Sequence, residues 1–192
     1  MERFRNPSRQ GGFTLIEMAI VLVIIGLIIG AVLKGQDLIQ NARAKKFANY
    51  VRACEIAQWN WLDRKGHFNG DTGEHDGKID VDVVKDDWDN FKNPVKNTIT
   101  LGSSSFGQVF GFDNGTVGKN FVAITPAGGG TYKSEEMVFI ETFDASIDGN
   151  ANGTDGNVVC TNSAPTGGIV SSGITNATCA PGGTQAMIYY FD

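Results

Sequence analysis

The chain has 192 residues, enough for one domain plus a membrane anchor, and its 21 acidic against 16 basic side chains give a formal charge of −5. That balance argues against nucleic-acid binding, which depends on a basic face. Its 25 glycines, with frequent Asn, Thr and Ser beyond Asn93, describe a loop-rich β region and exclude a helical bundle there.

The first twelve residues, Met1–Gly12, are polar and carry Arg3, Arg5 and Arg9 against Glu2. A secretory signal places its apolar core before the cleavage site. Here the apolar run begins after Gly12, so a cut at that point leaves the run on the mature chain. Such a cut leaves 13 basic and 20 acidic residues, a formal charge of −7. From Phe13 to Leu33, only Glu17 is charged. A spanning helix needs about 20 mostly apolar residues, and this run has that length. An acid at that depth costs roughly 2.5–3.5 kcal/mol even on lenient insertion scales, which demands a partner for the charge. Basic residues before a span hold that end in the cytoplasm, so the rest of the chain is expected to face outward.

The helix is expected to continue past the interface marked by Lys34-Gly35. Phe47, Val51, Cys54, Ala57 and Trp61 recur at steps of three and four, the apolar face of an amphipathic helix. Lys65-Gly66 supplies a terminal charge and a glycine stop. The pattern predicts one helix from about Thr14 to Arg64, roughly 75 Å long at 1.5 Å per residue. Gly26, Gly30 and Gly35 interrupt it, as notches for close helix approach or as points where the helix loosens.

The stretch from His67 to Asn93 is acidic and turn-rich. Beyond it, Ile99–Leu101, Phe106–Phe112, Asn120–Thr125 and Gln185–Phe191 are rich in β-branched and aromatic residues and predict strands. Asp113-Asn114-Gly115 predicts a turn between two of them. Ser134–Ile147 reads as a helix, with Ser134 as its cap and Glu135 and Glu136 in the first turn; Met137–Phe143 also suits a strand.

Of three cysteines, Cys160 and Cys179 lie in the Gly/Thr/Asn-rich C-terminal part. An outward-facing region folds in an oxidising compartment, and a Cys160–Cys179 disulfide is favoured, worth about 3 kcal/mol in the chain-entropy picture. Spacing leaves pairing of Cys54 with either one open; a small buried apolar role for Cys54 is preferred. The loop Asp148-Gly149-Asn150-Ala151-Asn152-Gly153 matches the first half of a calcium loop. Asp148, Asn150, Asn152 and Asp155 offer hard oxygen ligands, although Val159 stands where an EF-hand needs glutamate. Loops of this composition are also ordinary turns. A weaker fragment of the same kind is Asp76-Gly77-Lys78-Ile79-Asp80, whose first and twelfth positions are Thr72 and Val83. His67 and His75 read as solvated loop residues, with a metal pair as the sharper alternative. Trp59 and Trp61 read as packing residues; together with Trp88 they also suit a sugar platform. No Ser/His/Asp or Cys/His arrangement suggests catalysis, and Gly128-Gly129-Gly130 reads as a turn.

Gly12-Phe13-Thr14-Leu15-Ile16-Glu17, followed by an aliphatic helix, resembles the type IV pilin superfamily of pilins, minor pilins and type II secretion pseudopilins. Where that family often has proline, this chain has Lys34. The resemblance implies an α+β, pilin-like fold, with a long N-terminal helix packed on a small antiparallel β-sheet head. It implies a leader at 1–12, a helix at 13–65 that spans the membrane at about 13–33, and a head at 66–192. It implies cleavage between Gly12 and Phe13 by a prepilin peptidase and N-methylation of Phe13. Glu17 would then pair with the new amine of a neighbouring subunit. The partners implied are other pilin-like subunits and an inner-membrane assembly platform, with the head in the periplasm and then on a periplasmic or cell-surface filament. The expected role is a structural filament subunit, not an enzyme: a pseudopilin or minor pilin first, a major adhesive pilin second. The reading from another class is an anchored binding or enzymatic domain for which the helix is only a tether.

Overall fold

The computed structural model describes residues 12–81 and 95–191. Helix α1 runs Leu15–Lys65, within a residue of the predicted span at each end. It is followed by irregular chain to residue 81. Then come strands β1 (Thr98–Leu101), β2 (Ser104–Asp113) and β3 (Lys119–Pro126), helix α2 (Ser134–Ile147), and strands β4 (Val158–Thr161), β5 (Gly168–Val170) and β6 (Ala186–Tyr190). The protein therefore has the α+β, pilin-like arrangement of a long N-terminal helix and a largely antiparallel sheet.

The chain forms two compact units, one ending at Asn41 and one beginning at Ala42. In the first unit, every described residue except half-buried Gly35 is exposed, including Leu15 at 92% and Leu27 at 74%. This is the one helix among the described residues long and apolar enough to cross a membrane. An added Cβ at Gly26, Gly30 or Gly35 meets nothing within 4 Å. Among the described residues, none requires those positions to be small.

In the second unit, the amphipathic period takes over. Ala44, Phe47, Tyr50, Val51, Cys54, Ala57 and Gln58 are buried at helical spacing. Phe47 packs edge-on against Phe106 of β2, at 5.5 Å between ring centres, and stacks on Phe139 of α2 at 5.9 Å. The helix stops where Gly66, at φ +81°, turns its N–H back to the Leu62 carbonyl at 2.8 Å. Only glycine enters that left-handed cap without strain.

The sheet order is β1-β2-β3-β6-β4, and β5 pairs in parallel with the last residues of β2. Alternation along the strands sorts side chains between two clusters. Val122, Ile124, Met187 and Tyr189 join α1 and α2 in the main core; Phe121, Ala123, Ile188 and Tyr190 form a second cluster with Val159 and Ile174. The Asp113-Asn114-Gly115 segment turns β2 into β3, with Asp113 Oδ1 accepting the N–H groups of Gly115 (3.2 Å) and Thr116 (3.0 Å). Helix α2 covers Ser134–Ile147 as predicted, but its cap differs: Lys133 is the capping residue, and Glu136 accepts the Lys133 N–H at 2.8 Å. Ser134 sits inside the first turn. Cys160 and Cys179 are joined by a disulfide, and Cys54 is free and fully buried.

Gly111 is the tightest point of the β2–β5 crossing. A Cβ there collides with the Gly168 carbonyl and lies 2.8 Å from Phe121 Cζ. Gly111→Val should lower stability by about 2–3 kcal/mol, several degrees in a thermal melt followed by circular dichroism. Gly128→Ala, whose methyl meets nothing within 4 Å, should stay within about 0.5 kcal/mol of the parent.

Candidate assembly site and polar loops

Phe13, 86% exposed, precedes a helix start built by Thr14 and Glu17. Glu17 Oε2 accepts both the Thr14 N–H and the Thr14 hydroxyl, each at 2.8 Å. The Glu17 N–H donates in return to Thr14 Oγ1 at 3.3 Å. This is a capping box, in which a threonine and the acid three residues on satisfy each other's orphan backbone donors. Among the described residues, Glu17 Oε1 has no partner. The carboxylate is thus held by one oxygen at the head of an apolar helix and presents the other outward. The signal for Thr14 as a positioning residue, a Thr-x-x-Glu spacing, lay in the sequence beside the more conspicuous buried charge.

The loop after α2 uses its carboxylates to hold backbone. Asp148 Oδ1 accepts from the Asn157 N–H (3.1 Å), and Oδ2 from that of Val158 (2.8 Å). Asn152 donates its amide to Asp155 and accepts the Thr154 N–H at 3.2 Å. Asn150 is exposed. Val159, at the twelfth position of the motif, is buried in β4. Asp144, which motif reasoning missed, is 1% exposed and accepts the Gly153 N–H at 2.8 Å through Oδ2, while its Oδ1 has no hydrogen-bond partner among the described residues. Burial first, and then the neighbouring Asp148 and Asp155, push the Asp144 carboxyl up to about 6. Among the described residues, no three His, Cys, Asp or Glu side chains stand in an arrangement that holds a metal ion.

Of the other residues singled out above, Trp59 is 40% exposed and packs edge-on against Phe68, and Trp61 is half-buried. Asp80 Oδ2 accepts the Thr72 N–H at 3.4 Å, and Asp76 pairs with Lys78. Val83 and Trp88 lie outside the described residues. Burial raises the Cys54 thiol far above its ordinary range, so this cysteine is a packing residue and not a nucleophile.

Residues 7–33 match the prokaryotic N-terminal methylation motif, the class III signal of type IV pilin-like proteins. No curated protein and no solved structure matches the chain. The match covers residues 7–12, the Gly12-Phe13 junction, Glu17 and the apolar part of α1, and says nothing of the chain beyond residue 33.

The raised Asp144 carboxyl fixes a pH dependence. The folded chain keeps that proton up to about pH 6, whereas the unfolded carboxyl releases it near 3.8. Between those values the folded state binds more protons, so stability falls as pH rises through the window, and the loss is complete above it. In chelating buffer, Asp144→Asn should melt higher than the parent at pH 7, and the gap should close as the pH is lowered from 6 to 4.

Proposed function

We propose that the chain is a structural subunit of a type IV pilus-like filament, of the pseudopilin or minor-pilin kind. Its leader, Met1–Gly12, would be removed by a prepilin peptidase, and the new Phe13 amine methylated. The subunit waits in the inner membrane through residues 13–33 with its head, residues 66–192, in the periplasm, until an assembly platform moves it into a filament of like subunits. The observation that carries this reading is Glu17, held by Thr14 at the head of an exposed apolar helix and fifth after the Gly12-Phe13 junction, inside the matched methylation motif.

The energetics follow from the solvent. Lipid tails are as apolar as leucine, so helices leaving a bilayer for a filament core gain little from the hydrophobic effect; close packing and polar pairing must decide the outcome. Gly26 and Gly30 lie on the exposed apolar helix, where small residues would let neighbouring helices approach closely. The desolvation cost of Glu17 and that of an ammonium on Phe13 offset each other when the two meet. Because only one axial offset between helices brings them together, the pair also fixes the register. The choice of pseudopilin or minor pilin over a major adhesive pilin rests on Lys34 and on the irregular acidic segment after α1.

Two measurements test the reading. Mass spectrometry of the purified protein should find an N-terminus at methylated Phe13; an intact Met1 and an unmodified Phe13 would contradict it. Glu17→Ala should leave the subunit in the membrane fraction, with incorporation into sheared filaments down by about tenfold or more, the equivalent of losing at least 1.4 kcal/mol of pairing. Undiminished incorporation would favour a simple tether.

A further inference from the structure

We propose that Arg43, Lys45 and Lys46, on α1 shortly past the apolar run, form a docking surface for the anionic lipid headgroups of the leaflet from which the helix emerges. This surface depends on the apolar run lying in a bilayer, not on filament assembly. Charge along the chain is segregated. From Leu38 to Cys54 there are four cations, Arg43, Lys45, Lys46 and Arg52, and no acid; from Ser134 to Asp192 there are seven acids and no lysine or arginine. In a chain of formal charge −5, three cations within four residues reverse the local sign.

Lys45 and Lys46 are exposed and Arg43 is half-buried. Among the described residues, none of the three forms an ion pair. What they touch is uncharged. The Arg43 guanidinium lies over Gly102, in the turn between β1 and β2: a Cβ there would stand 2.7 Å from Arg43 Cζ. Lys46 Nζ donates to the Thr100 carbonyl at 3.3 Å. These contacts orient two of the cations without neutralising either. Arg52 stands near the Tyr189–Glu55 hydrogen bond, with an acid beside it, and is not part of the surface.

What faces the cluster follows from the chain itself. Leu33 ends the apolar run, and ten to thirteen residues of unbroken helix separate it from the cluster. That is about 15–20 Å at 1.5 Å per residue, of which the headgroup layer takes up about 5–8 Å. In between, Lys34 and Asp37 cancel. Helical side chains lean toward the N-terminus, so long cationic ones reach back toward that layer. The separation left is about one Debye length, roughly 10 Å at 0.1 M salt, at which an anionic surface still attracts Lys and Arg. An acidic protein would have to find this face by diffusion, whereas the bilayer is tethered to it by the same helix. The attraction would hold the start of the second unit toward the membrane and repel the acidic C-terminal part from it, giving the head one preferred orientation before any assembly.

The test is the lipid selectivity of the full-length chain reconstituted into phosphatidylcholine vesicles. Electron-spin resonance would compare trace spin-labelled phosphatidylglycerol with spin-labelled phosphatidylcholine. In 0.1 M salt the parent should prefer the anionic probe about fourfold or more, and the preference should shrink in 1 M salt. In the Arg43→Gln, Lys45→Gln, Lys46→Gln triple variant it should fall by at least about twofold. The Lys45→Gln, Lys46→Gln double variant changes only exposed side chains and should lie between the two, which keeps the test valid if loss of Arg43 disturbs the turn at Gly102. No preference in the parent, or an unchanged preference in both variants, would overturn the surface. A preference that appears only as protein density in the vesicle is raised would assign the cluster to a second copy and overturn it too. A chain that fails to enter vesicles at all would contradict the membrane reading itself, and this surface with it.

Discussion

A carboxylate in an apolar helix governs how this protein can exist. Glu17 is the one charge between Phe13 and Leu33, and a bilayer offers no water to solvate it. The fold answers half of the demand by itself: Thr14 gives Oε2 its backbone N–H and its hydroxyl, which also satisfies donors that the first turn would otherwise leave bare. Oε1 remains. A single chain in lipid can keep such a group only at a cost. A second chain that brings a cation to the same depth removes the cost and gains a fixed alignment. In the proposed filament, the drive to associate and the register of association would come from that one pair, while the aliphatic surface around it would supply contact without direction.

The second unit works under ordinary aqueous rules. There α1 becomes amphipathic, and its buried stripe from Ala44 to Gln58 meets the sheet through Phe47, Phe106 and Phe139. Several buried polar groups find specific partners: Gln58 with Asn69, Asn120 with Gly77 and Ile79, Tyr190 with Asp113 at 2.8 Å. The Tyr189 hydroxyl donates to Glu55 on α1 at 2.9 Å and is pushed up to about 12, first by burial and then by that carboxylate. The loop-rich C-terminal part is closed by the Cys160–Cys179 bond, a cross-link suited to the oxidising side of a membrane.

What could be read from the sequence follows the length scale of each signal. Helix α1 was legible almost to the residue because 51 residues of apolar and then amphipathic pattern outweigh any local noise. Strands β1, β2, β3 and β6 were legible from dense β-branched and aromatic runs. Strands β4 and β5 were not, because four and three residues set among Gly, Asn and Thr carry too little periodicity to register. Glu136 outranked Ser134 at the α2 cap because its carboxylate reaches back three residues to the Lys133 N–H, a competition that composition alone does not decide. Glu17 was visible as an energetic anomaly. Its positioning partner Thr14 was signalled by the Thr-x-x-Glu spacing, whereas the buried Asp144 became visible only when folding brought it to the Gly153 N–H.

The account turns on whether Glu17 meets the Phe13 amine of another subunit. The direct measurement is a solid-state NMR dipolar distance in filaments assembled from two separately labelled pools, one with ¹⁵N at the Phe13 amine and one with ¹³C at the Glu17 carboxyl, so that only contacts between chains are seen. Nitrogen and carboxyl carbon within about 4 Å, the range of a direct ion pair, is the predicted result. No detectable coupling, or a Glu17 carboxyl shift typical of a protonated acid, would contradict it.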